Sequence, residues 1–104
     1  MPVPELDPEQ RQAALEKAKE ARRIRAELKQ MLKAGEVQIS QVLARAEHAD
    51  ALAKMRAAEL IGAMPNVGKV GARRLMNELG IADGRRLQGL GPRQREALID
   101  HFEG

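Results

Sequence analysis

The 104-residue chain contains no cysteine, tryptophan, tyrosine or threonine, one serine (Ser40), one phenylalanine (Phe102) and two histidines (His48 and His101). Without thiols there are no disulfides and no thiolate metal sites, and two imidazoles far apart in sequence make no ligand cluster, so no metal is expected. One hydroxyl and two distant histidines leave nothing from which to pair a nucleophile with its base, which excludes a Ser–His or Cys–His hydrolase. A single phenylalanine cannot form the stacking platform on which single-stranded nucleic acid is usually held; a duplex backbone suits this composition better. No apolar run approaches the roughly eighteen residues that a bilayer-spanning helix needs. The start, Met1-Pro2-Val3-Pro4-Glu5, lacks the pattern of a secretory leader, so a soluble cytoplasmic protein with no membrane partner is expected. Strand-favouring residues are scarce as well, valine and isoleucine numbering five each, and the expected fold class is all-α.

What is present is mostly Ala, Leu, Glu, Arg and Lys, in about one domain's length of chain. Charged residues make up 32% of it with a net charge of +3, a balance that favours acidic partners. Asp7-Pro8-Glu9-Gln10 supplies an acidic N-cap, proline at the first helical position and glutamine three residues after the cap. A long helix should begin there and run to Lys33, where Ala34-Gly35 stops it with a left-handed cap. Beyond it the apolar weight rises: Leu, Ile, Val, Met and Phe occupy 20 of positions 37–102 but only 8 of positions 1–36. The expected division is therefore an extended start and helical arm at 1–34 and a compact helical core at 35–104. Within the core, short helices are expected over 39–47, 51–54, 56–63, 70–79 and 92–102.

On a helical wheel of about 100° per residue, Ala14, Ala18, Ala21, Leu28 and Leu32 form one apolar stripe, small at its N-terminal end and large at the other. Arg11, Lys19, Arg22, Arg23, Lys29 and Lys33 gather on one flank, and Glu9, Glu16, Glu20 and Glu27 on the other. A solvated helix supported by Glu–Lys pairs accounts for part of this pattern. Pairing alone would interleave the signs, however, so the segregation favours a phosphate-facing side carrying Arg22, Lys29 and Lys33.

The most informative segment is Met64-Pro65-Asn66-Val67-Gly68-Lys69-Val70-Gly71-Ala72-Arg73-Arg74. A turn containing proline, an asparagine able to adopt positive φ and a glycine leads straight into a helix whose apolar positions are Ala72, Leu75, Met76 and Leu79. Amides around Val67, Gly68 and Lys69 then point outward with the positive end of a helix dipole behind them, and Lys69 and Arg73 add charge to the same phosphate. The pattern resembles the helix–hairpin–helix motif, whose Pro-Gly-Val/Ile-Gly core is here Pro65-Asn66-Val67-Gly68. Similar turns also serve as plain connectors. A nucleotide P-loop fits poorly, because Val70 stands where Ser or Thr is needed and no strand precedes the turn.

A shift of 23 residues places Gly89-Leu90-Gly91 on Asn66-Val67-Gly68 and Leu98, Ile99 and Phe102 on Leu75, Met76 and Leu79, which suggests a second, degenerate turn and helix. Between the two copies lies Asp83-Gly84-Arg85-Arg86-Leu87-Gln88, a Gly-flanked loop whose paired arginines suit phosphate contact, or else solvated surface charge. Positions 69–95 hold seven basic residues against two acidic ones, a local excess of five positive charges that the modest total conceals.

The opening Leu6-Asp7-Pro8-Glu9-Gln10-Arg11, the Ala13-Ala14-Leu15-Glu16-Lys17-Ala18 stretch, the run Ala21-Arg22-Arg23-Ile24-Arg25-Ala26-Glu27-Leu28-Lys29, Gly68-Lys69-Val70 and Arg85-Arg86-Leu87-Gln88-Gly89-Leu90-Gly91 together resemble the actinobacterial integration host factor family. The resemblance covers nearly the whole chain. It implies a long N-terminal helix on a helix-two-turn-helix core, and a nucleoid-associated protein that binds double-stranded DNA with little sequence preference. It also implies DNA bending or compaction and, in some members, assistance to phage site-specific recombination through an integrase complex on DNA. The family often has a third basic residue where this chain has Gln88.

Joined to the residue reading, these features make Asn66, Val67, Gly68, Lys69 and Val70 the expected phosphate-holding turn. Arg73, Arg85, Arg86 and Arg93 extend it, and Arg22, Lys29 and Lys33 form a separate second DNA surface. The expected protein is a monomer in solution, non-enzymatic and without a cofactor. An RNA-binding or ribosome-associated helical module remains the alternative, since phosphate contacts alone do not separate the two duplexes, and a helical protein–protein adaptor is the rival from another class.

Overall fold

The computed structural model describes residues 7–104, and the proline-containing start at 1–6, with Leu6 of the family-like opening, lies outside the described residues. Six helices and one 3-10 turn follow in order: α1 Pro8–Lys33, α2 Ile39–Ala46, α3 Asp50–Ala53, α4 Ala57–Gly62, α5 Gly68–Leu79, the 3-10 turn Leu87–Gly89 and α6 Pro92–Glu103. No strand is present among the described residues; the sole ladder contact there is an isolated antiparallel bridge between Arg56 and Arg86.

α1 forms where its capping residues place it. The Asp7 carboxylate accepts from the Gln10 amide at 2.7 Å while the Gln10 side chain accepts from the Asp7 amide at 3.2 Å, which satisfies two of the helix's free donors reciprocally. At the other end Gly35 adopts φ +75, and the Glu36 amide reaches back to the Met31 carbonyl at 2.9 Å. Leu28 and Leu32 are buried, whereas positions 7–20 are exposed throughout and Leu15 remains 60% exposed. At 26 residues α1 is about 39 Å long, and it helps to give the molecule its 50 Å longest dimension.

The core gathers Leu32, Ile39, Val42, Leu43, Met55, Leu60, Ile61, Met76, Leu87 and Leu98, all at most 2% exposed. Among the described residues it contains no buried polar or charged side chain, so apolar burial alone closes it. Polar ties at the rim fix the helix ends. Gln94 accepts from the Gly91 amide at 2.9 Å and donates to the Gly80 carbonyl at 3.0 Å, joining the start of α6 to the end of α5. Glu103 accepts from the Ser40 amide at 3.0 Å, an anion at the N-terminus of α2.

The expected second hairpin is half realised. Leu98 is buried and Ile99 and Phe102 pack against the core much as Leu75, Met76 and Leu79 do, but Gly91 has φ −73 where Gly68 has φ +67. The helix packing repeats, and the turn does not. Leu87–Gly89 instead winds into a 3-10 turn that buries Leu87.

Leu32→Ala should lower unfolding free energy by about 2–5 kcal/mol and Leu15→Ala by no more than about 0.5, measured by urea denaturation, because only the first leaves a cavity.

Candidate nucleic-acid interface

α4 and α5 form a helical hairpin whose buried residues, Leu60 and Ile61 on one side and Ala72, Leu75 and Met76 on the other, face the core. Between them Asn66 takes φ +66 and Gly68 φ +67, with Val67 between at φ −93. Asparagine is among the few residues with a side chain that tolerate this region, which explains its presence where a hairpin motif usually has glycine. Val67 folds down onto the first turn of α5, and its Cγ1 would lie 3.1 Å from a Cβ at Gly71, so Gly71 keeps the space that Val67 needs.

This geometry leaves the N-terminus of α5 open. No side chain caps it, whereas α1 is capped by Asp7 and α6 is approached by Gln94. The Val67 amide, expected to point outward, instead donates to the Met64 carbonyl at 3.2 Å; the amides from Gly68 onward carry the positive end of a twelve-residue helix dipole without a side-chain cap. A Cβ at Gly68 would meet nothing within 4 Å, so an anion can approach the backbone there. Asn66, Gly68, Lys69 and Val70 are exposed, Val70 at 74%, an unusual place for a branched apolar residue among charges.

The cations fall into three groups. Lys29 and Lys33 of α1 line one groove of about 750 Å³ with Lys69 and Arg73 of α5. The separate second surface expected on α1 is thus corrected: its C-terminal half faces the hairpin, and Lys29 and Lys33 share a groove with Lys69 and Arg73. Arg22 lies outside this groove on the exposed part of α1.

Arg85 and Arg86 form the second group. The Leu87 amide donates to the Met55 carbonyl and the Ala57 amide to the Arg85 carbonyl, both at 2.9 Å, which sews the loop to the residues leading into α4. The Arg85 guanidinium donates to the Gly89 carbonyl at 3.2 Å and that of Arg86 to the Lys54 carbonyl at 3.0 Å. Each arginine spends one of its five donors on the fold and keeps the others for a partner.

The bridge also places Arg56 opposite Arg86. Like charges at facing positions repel unless an anion lies between them. Nothing local in the sequence singles out Arg56; only its pairing across thirty residues of chain brings it to the loop. Arg93, in the first turn of α6, stands exposed as the third group.

None of Arg22, Lys29, Lys33, Arg56, Lys69, Arg73, Arg85, Arg86 or Arg93 forms an ion pair among the described residues. Two other bases do. Arg23 is held by Glu20 and Glu27, and its hydrogen bond keeps the Glu20 carboxyl below the usual carboxylate range, so it does not join the free cations of its flank. Arg95 donates to the Leu43 carbonyl at 2.8 Å and pairs with Glu47 at 3.1 Å, which makes it a tie between α6 and α2.

Residues 32–102 match the family of S13-like H2TH domains, which gives the fold its class. The chain is 54% identical over 103 residues to the integration host factor of Mycolicibacterium smegmatis, covering 99% of this chain and 98% of that protein. It is 55% identical over 102 residues to that of Mycobacterium tuberculosis, covering 98% and 97%. Against that of Streptomyces coelicolor it is 44% identical over 102 residues, covering 98% and 95%. A solved structure described as sIHF bound to an 8-base-pair palindromic DNA superposes with a TM-score of 0.82 at 40% identity, over 84% of this chain and 98% of that one. The chain belongs to the integration host factor family of mycobacteria and Streptomyces.

Because Gly68 sits in the left-handed region, Gly68→Ala should lower stability by about 1–2 kcal/mol, whereas Asn66→Gly should stay within about 0.5 kcal/mol of the parent in the same urea titration.

Proposed function

We propose that this chain binds double-stranded DNA through its phosphate backbone, with little sequence preference, and that it bends and compacts DNA as a non-catalytic component of the cytoplasmic nucleoid. The observation that carries this reading is the uncapped N-terminus of α5, opened by positive φ at Asn66 and Gly68 and ringed by cations that have no acidic partner among the described residues. Amides of Gly68 and Lys69 hold one phosphate while that of Val67 stays on the Met64 carbonyl, Val70 lies against the adjoining sugar, and Lys69 and Arg73 neutralise neighbouring charge. Arg85 and Arg86, with Arg56 opposite, grip a second stretch of backbone, and Arg93 extends it. Lys29 and Lys33 approach from the α1 side of the groove, and Arg22 engages DNA farther along the arm.

Phosphate contacts position a protein on the duplex without reading bases, so the low sequence preference follows from the kind of contact. Lys and Arg reaching phosphate from both α1 and the hairpin give the DNA a reason to bend toward the protein. Assistance to a phage integrase complex would be exerted through that bend, by a chain that is a monomer in solution. No metal or cofactor enters, and no helix among the described residues is long and apolar enough to cross a membrane.

Arg85→Ala with Arg86→Ala should weaken duplex binding about equally for unrelated sequences. It should also reduce the slope of log K against log salt by about 0.9 for each phosphate left without its arginine, read by fluorescence anisotropy across a salt series. Unchanged affinity at moderate salt would contradict the reading. A matched RNA duplex competing as well as DNA would replace it with an RNA-binding one.

Removal of residues 1–22 deletes Arg22 and a stretch of exposed helix but, among the described residues, none of the buried core. It should leave the melting temperature within about 2 °C of the parent while reducing compaction of long DNA, seen by atomic force microscopy, more than it reduces short-duplex affinity. Loss of a cooperative melt would make the arm structural.

A further inference from the structure

Two large apolar side chains stand exposed among the described residues, Leu15 on the arm and Val70 in the first turn of α5. A single exposed apolar residue is ordinary on a protein surface. Val70 is distinguished by its place. It directly follows Gly68 and Lys69, whose amides are open to an anion, and its neighbours three and four residues on along the helix surface are Arg73 and Arg74. Neither arginine is ion-paired among the described residues. Valine is also a poor choice for an exposed helical position on local grounds, since β-branching restricts its rotamers and no burial compensates.

A phosphate held by the Gly68 and Lys69 amides brings its sugars with it, and C2′ of the 3′-linked sugar lies only a few bonds from phosphorus. Helical Cβ atoms lean toward the N-terminus, so the Val70 methyls lie toward the same end of α5 as that phosphate. C2′ is where DNA and RNA differ. The amides and cations are blind to that difference, because contacts to phosphate oxygens are the same in either backbone.

We infer that Val70 is the residue by which the chain prefers DNA to RNA. Its methyl groups pack against the C2′ methylene of deoxyribose. A ribose in the same place buries its 2′-hydroxyl against hydrocarbon and gives up a hydrogen bond to water that a methyl surface cannot replace. The inference rests on the DNA-binding reading, since the phosphate on α5 is what brings the sugar to Val70.

The test is the affinity of the full chain for short duplexes of one sequence made as DNA, as RNA and as fully 2′-fluoro-substituted RNA, read by fluorescence anisotropy at one salt concentration. The fluoro duplex keeps the A-form of RNA but has no hydroxyl, so it separates the sugar edge from groove shape. The parent should bind it about fivefold more tightly than RNA. Val70→Thr keeps the branched shape and gives the ribose hydroxyl a partner, so it should bring that ratio to about one while leaving DNA affinity within about threefold of the parent. Leu15→Gln, a comparable gain of polarity on the arm, should leave the ratio as in the parent. Equal binding of RNA and fluoro-RNA by the parent, or a ratio that survives Val70→Thr, would overturn the assignment. So would failure of both A-form duplexes beside tight DNA binding, because the discrimination would then lie in groove shape. A readout on the parent alone decides as well: the Val70 methyl resonances must move on titration with DNA, and methyls that stay in place would overturn it. Absence of DNA binding ends the DNA-binding reading itself, whereas equal RNA and fluoro-RNA affinity beside intact DNA binding ends only this inference.

Discussion

The turn between α4 and α5 sets the position of almost everything that matters for binding. Two backbone positions in the left-handed region, Asn66 and Gly68, flank Val67 and turn it inward onto α5. That inward turn aims the first amides of α5 at solvent with no side chain to cap them. Left-handed backbone costs about 1–2 kcal/mol per residue for an ordinary side chain, so the conformation persists only because asparagine and glycine make it inexpensive and the buried faces of both helices hold the hairpin shut.

The cations depend on that frame at one remove. Lys69 and Arg73 ride on α5 itself. Lys29 and Lys33 reach the groove because Leu28 and Leu32 bury the C-terminal half of α1 in the core, with Arg25 donating to the Ala51 carbonyl at 3.4 Å as a weaker tie to α3. Arg85 and Arg86 are fixed by two backbone hydrogen bonds to the residues that start α4. A core without buried charge among the described residues, surrounded by a rim of carbonyl-bound and unpaired guanidiniums, places the electrostatic work entirely at the surface, where salt screens it.

Much of this is legible in the residues. The reciprocal Asp7–Gln10 cap, the Gly35 stop, and the left-handed role of Asn66 all express local chemistry, and local chemistry is written in adjacent letters. The short helices fall within a residue or two of their expected bounds, α5 starting earlier because Gly68 and Lys69 already belong to its first turn. What stays hidden depends on distant parts of the chain. The pairing of Arg56 with Arg86 joins segments separated by the whole of α4 and α5, and no local pattern announces it. A helical wheel shows which flank of α1 is basic but not what that flank faces, so from the wheel alone Lys29 and Lys33 belong to a surface of their own. Counting charge likewise cannot tell a free arginine from Arg95, which is engaged by Leu43 and Glu47, or from Arg23, which is held between two glutamates. The repeated Gly-Leu-Gly signals the packing of α6 correctly and its turn incorrectly, because Gln94 satisfies the Gly91 amide and removes the need for a left-handed glycine.

The central claim is that backbone amides at the start of α5, rather than long side chains alone, hold a DNA phosphate. Amide proton and nitrogen shifts recorded during titration of the full chain with a short duplex test it directly. The account predicts that the largest shifts fall at Gly68 and Lys69, with a second set at Arg85, Arg86 and Leu87, while Leu98 and Phe102 stay in place. Shifts concentrated between α2 and α6, with the amides of the α4–α5 turn unmoved at saturation, would contradict it.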